Sequence, residues 1–156
     1  MVALLALTGC SKFDLLNATV PARNYLRTDD ISYGPLARQK LDVYRPKSPP
    51  PRADIVIFFY GGDWQAGSKR DYRFVAEALT SRGFVAVMPN YGLYPEVTFP
   101  AFVEDAAQVV RWAHDNATTI GGDPAHIYLM GHSAGAHIAA LLTLDARYLA
   151  GTGLDR

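Results

Sequence analysis

The sequence holds 156 residues, 49% of them hydrophobic and 19% charged, which fits one soluble globular domain and excludes a disordered chain. With 15 basic and 15 acidic residues the formal charge is zero, and no basic stripe offers itself to nucleic acid. A single cysteine excludes an internal disulfide or a multi-cysteine zinc site, and no apolar run approaches the roughly 18 residues of a membrane-spanning helix.

The chain opens "MVALLALTGC", an apolar stretch closed by small residues just before Cys10. "LTGC" resembles the lipobox of bacterial lipoproteins. The resemblance implies a signal peptide over residues 1–10, export, and a lipid on Cys10 that anchors the chain to a bilayer of the cell envelope. The plainer reading is a buried N-terminal helix carrying a free thiol. Residues 11–32 have weak periodicity and read as a linker and irregular N-terminal segment ahead of a domain over residues 33–156.

"QKLDVYRP" alternates Leu41 and Val43 with polar neighbours and reads as a half-buried strand. The prolines of "KSPPPR" then force an exposed turn. "ADIVIFFYGG" is a continuous β-branched and aromatic run, the pattern of a strand buried on both faces. "SKRDYRFVAEALTSRG" sets Phe74, Val75, Ala78 and Leu79 at helical spacing, with Gly83 as its stop. "FVAVMPN" is a second buried strand, and "NYGLYPEVTFP" a loop punctuated by Gly92, Pro95 and Pro100. Phe102, Val103, Ala106, Val109, Val110 and Ala113 define an amphipathic helix to about Asn116. "GGDP" turns into the strand "HIYLMG", a helix runs from Ala134 to about Asp145, and "GTGLDR" reads as a loop. Strands alternating with helices predict an α/β fold, a doubly wound and mostly parallel sheet.

Ser133 lies in a G-x-S-x-G frame formed by Gly131, His132, Ser133, Ala134 and Gly135. Between a strand and a helix, this frame is a nucleophile elbow: a strained turn that lifts the serine oxygen above the sheet and crowds its glycines. The helix N-terminus behind it favours negative charge. "YGGDW", Tyr60 to Trp64, follows the earlier buried strand, and a glycine-rich turn there lets backbone N–H groups approach a developing oxyanion.

Through "YGGDW", "NYGLYPE", "GGDP" and "GHSAGA", residues 33–156 resemble the N-terminal part of an α/β-hydrolase serine esterase of the hormone-sensitive-lipase-like and carboxylesterase branch. The resemblance extends to bacterial lipoprotein members and arylformamidase-like relatives. It implies oxyanion donors at Gly62 and Asp63, joined by Ala134. A carboxylate at Asp63 suits an oxyanion only if its side chain turns away. Gly92 stands where the family often has arginine, so the anchoring of that loop is open. Trp64 is expected to pack beneath the oxyanion turn, Glu104 and Asp105 to form a solvated helix face or a local pair, Asp123 to form a turn, and Asp145 to end a helix.

A serine hydroxyl needs a general base, and the base an orienting carboxylate. His126 starts the strand that ends at Ser133, so it lies at the far edge of the sheet. His114 closes the preceding helix, away from the site. His132 adjoins the serine but points elsewhere, and His137 belongs to helix packing or a local hydrogen bond. Within this fold the triad's acid and histidine come from later strands. The expectation is therefore a fragment truncated after the nucleophile helix and inactive by itself, whose whole protein hydrolyses small carboxylic or related acyl esters without metal or cofactor. Its last strand, "HIYLM", becomes an apolar edge open to self-association. The rival reading is a non-catalytic lipoprotein module that binds an acyl-like ligand or a partner chain.

Overall fold

The computed structural model describes residues 12–21 and 24–154, so Cys10 and the lipobox lie outside the described residues. In chain order the elements are α1 (Lys12–Ala18), β1 (Tyr25–Ser32), β2 (Lys40–Pro46), β3 (Ala53–Phe59), a 3-10 turn (Lys69–Tyr72), α2 (Arg73–Thr80), β4 (Val85–Pro89), α3 (Ala101–Asn116), β5 (Gly122–Gly131), α4 (Ala134–Leu144) and α5 (Ala146–Ala150). The five strands form one sheet in the order β1-β2-β4-β3-β5. β3 pairs in parallel with β4 and β5, while β2 is antiparallel to both β1 and β4. Only β2 therefore runs against the rest.

The continuous apolar runs become the central strands, as expected. Ile55, Ile57 and Phe59 of β3 and Val85 to Val87 of β4 have no exposed surface. The β3–β4 and β4–β5 connections step across the sheet in opposite directions, so right-handed crossovers put α2 and α3 on opposite faces. α2 accordingly rests on β2 and β4, and α3 on β4 and β5 beside α4 and α5. This is the doubly wound, mostly parallel architecture predicted from the alternation of strands and helices.

Three local expectations need correction. The segment read as an irregular linker contains α1 and the strand β1. β1 buries only Tyr25 and exposes most of its other residues, because it is a charged edge strand held by backbone pairing to β2 rather than by an apolar face. In α2 the fully buried positions are Ala76 and Thr80, continuing from Tyr72; Phe74, Val75, Ala78 and Leu79 are only half-buried. After Asp145 the chain makes one more short helix, α5, which Asp145 caps by accepting the N–H of Arg147 at 3.1 Å. Among the described residues no helix is long and apolar enough to cross a membrane.

Candidate active site

Ser133 stands at the carboxyl end of β5, beside the carboxyl end of β3, with φ 52° and ψ −119°. A non-glycine residue in the left-handed region is strained, and such strain gathers at functional turns. Hydrogen bonds hold it from both sides. His132 N–H donates to Phe59 O at 3.1 Å, while Ser133 O accepts from Ala136 at 2.9 Å and from His137 at 3.1 Å to start α4. A Cβ on Gly131 would lie 2.6 Å from Ala136 N, and one on Gly135 would lie 2.5 Å from Tyr60 O. Backbone fills both spaces, so the frame's glycines are steric necessities.

The glycine turn touches the elbow. A Cβ on Gly61 would be 2.9 Å from Ser133 Cβ and 2.8 Å from His132 Nδ1. Gly62, Asp63 and Trp64 then carry φ values of 142°, 53° and 58°, a tight reversal closed by Gln65 and Ala66 N–H groups donating to Gly62 O, each at 2.9 Å. Among the described residues no acceptor pairs with the backbone N–H of Gly62, Asp63 or Ala134. The Asp63 side chain is exposed to solvent, which screens its charge.

Tyr60, at the head of the turn, is locked from behind. Its ring stacks on Tyr91 with centroids 4.5 Å apart, and its carbonyl accepts the Tyr91 hydroxyl at 2.6 Å. Arg38 donates to the Tyr60 hydroxyl at 2.7 Å, to Tyr91 O at 2.9 Å and to Gly67 O at 3.1 Å. Burial pushes the Tyr60 hydroxyl above its ordinary range, with Arg38 opposing the shift, so it stays a neutral hydrogen-bonding group. Arg38 was not legible as a site residue, since it lies in a turn before β2 with no motif around it.

The loop at Gly92 is anchored without arginine. Gly92 N–H donates to Asp105 Oδ2 at 2.8 Å, and Gln39 Nε2 donates to Asp105 Oδ1 at 2.7 Å. Asp105 is thus a buried loop anchor rather than part of a solvated face, whereas Glu104 is exposed. The signal was present: Asp105 shares the i, i+3, i+4 spacing of Phe102, Ala106 and Val109. Trp64 packs as expected, stacked on Phe102 at 5.7 Å and met edge-on by His137 at 5.5 Å.

No described histidine is placed on the Ser133 hydroxyl. His132 Nδ1 pairs with the Tyr72 hydroxyl at 3.1 Å, and His137 lies on Trp64. His114 meets Asp115 at 3.3 Å at the end of α3. His126 lies in the middle of β5 rather than at its start, and Asp123 belongs to the same strand rather than to a turn. The two are 3.3 Å apart, and the Ala125 N–H holds the Asp123 carboxyl below the usual range. Among the described residues no cluster of His, Cys, Asp and Glu could hold a metal ion.

Comparison with known proteins bears on this arrangement. The pattern of the BD-FAE family matches residues 41–150, from β2 to the end of α5. Esterase LipQ of Mycobacterium tuberculosis is 37% identical over 131 residues, which are 81% of this chain and 31% of LipQ. The kynurenine formamidase of Danio rerio is 37% identical over 129 residues, 82% of this chain and 43% of that protein. The structure of esterase B from Lactobacillus rhamnosis superposes with a TM-score of 0.79 at 26% identity, covering 92% of this chain and 49% of that one. The chain thus spans less than half the length of each of these proteins. With the family pattern covering strands β2 to β5, the glycine turn and the elbow alike, the chain belongs to the BD-FAE family, among α/β-hydrolase esterases of the hormone-sensitive-lipase and carboxylesterase type.

Proposed function

We propose that Ser133 is the nucleophile of a hydrolase acting on carboxylic esters or related acyl bonds. The observation that carries this reading is the strained, exposed Ser133 held against Gly61, with the N–H groups of Gly62, Asp63 and Ala134 left unengaged. Ser133 Oγ would attack the carbonyl carbon and pass its proton to a general base. The carbonyl oxygen would become an oxyanion held by the three N–H groups and the N-terminus of α4. Collapse releases the alcohol, which takes the proton back, and water then cleaves the acyl-enzyme to a carboxylic acid and free Ser133. The base and its carboxylate would come from the part of the whole protein that this chain does not include. No step calls for a metal or organic cofactor.

The test is a fluorophosphonate probe and a p-nitrophenyl ester applied to the full-length protein. Labelling is expected on Ser133, with both labelling and turnover lost in Ser133→Ala. The second reading, a non-catalytic module that binds an acyl-like ligand or partner chain, draws on the histidines that all face elsewhere. It would gain if the full-length protein bound ester without Ser133-dependent turnover. Cys10 is proposed to carry lipid and tether the protein to the cell envelope, where two or three acyl chains give stable anchoring. An unmodified Cys10 with Met1 retained, in mass spectra of protein from its native host, would remove that proposal.

A further inference from the structure

Tyr72 closes the 3-10 turn ahead of α2, and aromatic rings pack around it. Phe13 of α1 lies 5.0 Å from it between centroids, Phe58 of β3 5.2 Å, Phe74 of α2 5.8 Å and His132 5.9 Å. The turn that carries Tyr72 has little play. Ser68 and Asp71 form a capping box, in which Ser68 N–H donates to Asp71 Oδ2 at 2.8 Å, and Lys69 N–H donates to Asn90 Oδ1 at 2.8 Å. Packing accounts for the ring of Tyr72, which is a buried residue. It does not account for the hydroxyl, because phenylalanine would fill the same space without bringing a polar group into an apolar cluster.

The hydroxyl is met by the two segments that build the site. His132 Nδ1 lies 3.1 Å from it. Burial raises the Tyr72 hydroxyl above its ordinary range, and a hydrogen bond from the Gly61 backbone opposes that rise. His132 directly precedes Ser133, and its own N–H is fixed on Phe59 O at 3.1 Å. Gly61 comes so near that a Cβ on it would stand 2.8 Å from His132 Nδ1 and 2.9 Å from Ser133 Cβ. The imidazole is thus wedged between the glycine turn and the Tyr72 hydroxyl. Gly61 leads straight into Gly62 and Asp63, whose N–H groups are the proposed oxyanion donors. Without the hydroxyl the imidazole could turn about its Cβ–Cγ bond, and the backbone resting on it would shift relative to Ser133.

We propose that Tyr72 is a positioning residue for the hydrolysis: its hydroxyl holds the His132 imidazole against Gly61 and so fixes the gap between the oxyanion donors and the Ser133 hydroxyl. This rests on the reading of Ser133 as the nucleophile. The experiment uses full-length protein and p-nitrophenyl butyrate, with kcat expressed per site titrated to completion by a fluorophosphonate. Tyr72→Phe keeps the ring and removes the oxygen. Its kcat and kcat/KM should fall together about tenfold with KM unchanged, because the oxyanion exists only in the transition state. Displaced donors cost less than a deleted donor, whose loss is on the order of a hundredfold or more. His132→Ala should show the same fall, and the double variant no more than either single one. His132→Asn, whose amide stands where Nδ1 stood, should recover most of the loss. A hydroxyl with a structural role alone would lower the thermal midpoint and leave kcat per titrated site at the parent value, which overturns the proposal. Losses that multiply in the double variant, or a change confined to KM, overturn it too. Turnover that survives Ser133→Ala would instead remove the nucleophile reading, so the two failures are told apart.

Discussion

Gly135 shows how little freedom the elbow has. A Cβ there would overlap the carbonyl groups of Phe59 and Tyr60 at the end of β3, which are backbone atoms with nowhere to turn. Gly135→Ala must therefore push α4 away from β3 and carry Ser133 with it. The expected cost is about 3 kcal/mol, the upper range for overpacking, read as a shift of the urea midpoint at unchanged slope. In the full-length protein the same change should suppress turnover far more than it weakens folding, because misplacement by about 1 Å already costs on the order of a hundredfold. The tight strand-to-helix turn through Gly131, Ser133 and Gly135 was legible because strand, turn and helix are contiguous in the chain. Asp105 was misread for the opposite reason. Its partners Gly92 and Gln39 lie 13 and 66 residues away, and a carboxylate set among apolar neighbours is identified as an anchor only once those donors are placed.

The elements are joined by charges that composition alone does not reveal. Lys69 is 2% exposed at the start of the 3-10 turn, and its ammonium pairs with the fully buried Asp42 of β2 and, at 2.6 Å, with Asp30 of β1. Arg27 of β1 also reaches Asp42, at 3.0 Å. This cluster fastens the polar edge strand that periodicity could not detect. Lys69→Met leaves Asp42 buried with one cation fewer, so a loss of about 3–5 kcal/mol is expected in chemical denaturation. The hydrogen bond from Lys69 holds the Asp30 carboxyl below its ordinary range. Lowered in the folded state, Asp30 contributes stability above the ordinary carboxylate pKa of about 4 and loses it as pH falls through the folded value. Acid should therefore raise hydrogen exchange in β1 while β3 stays protected, and Lys69→Met should flatten that acid dependence of β1. At the other edge, β5 pairs only with β3 and exposes Tyr128 by 50% and Met130 by 44%. An apolar open edge recruits another strand. Purified 1–156 should accordingly form dimers or larger species in sedimentation velocity, and Tyr128→Lys should shift them toward monomer. A monomer at every concentration would count against the open edge as a contact.

For the molecule as a whole, the class of fold was readable from the alternation of strands and helices, but the order β1-β2-β4-β3-β5 was not. Strand order depends on which edges meet after collapse, and β2 and β4 pair across more than 40 residues without a local signal. That order is what places the glycine turn after β3 against the turn of Ser133 after β5, the arrangement on which the proposed oxyanion donors and nucleophile rest. The chain has one local shortfall for that role. It does not, among the described residues, contain a base on that serine. Residues 1–156 alone should thus show almost no turnover of short p-nitrophenyl esters and weak fluorophosphonate labelling. A hydrolase deprived of a triad member keeps only roughly 10³- to 10⁴-fold acceleration over water, through its oxyanion donors and binding surface. Full-length protein should gain both activities, and Ser133→Ala should remove them. The decisive contrary result is brisk, Ser133-dependent turnover by residues 1–156. One of the chain's own histidines would then have to swing onto Ser133, and His137 is the first to replace: it sits one helical turn away and is held by a ring contact with Trp64 rather than by a carboxylate. His137→Ala abolishing that turnover would move the base into this chain.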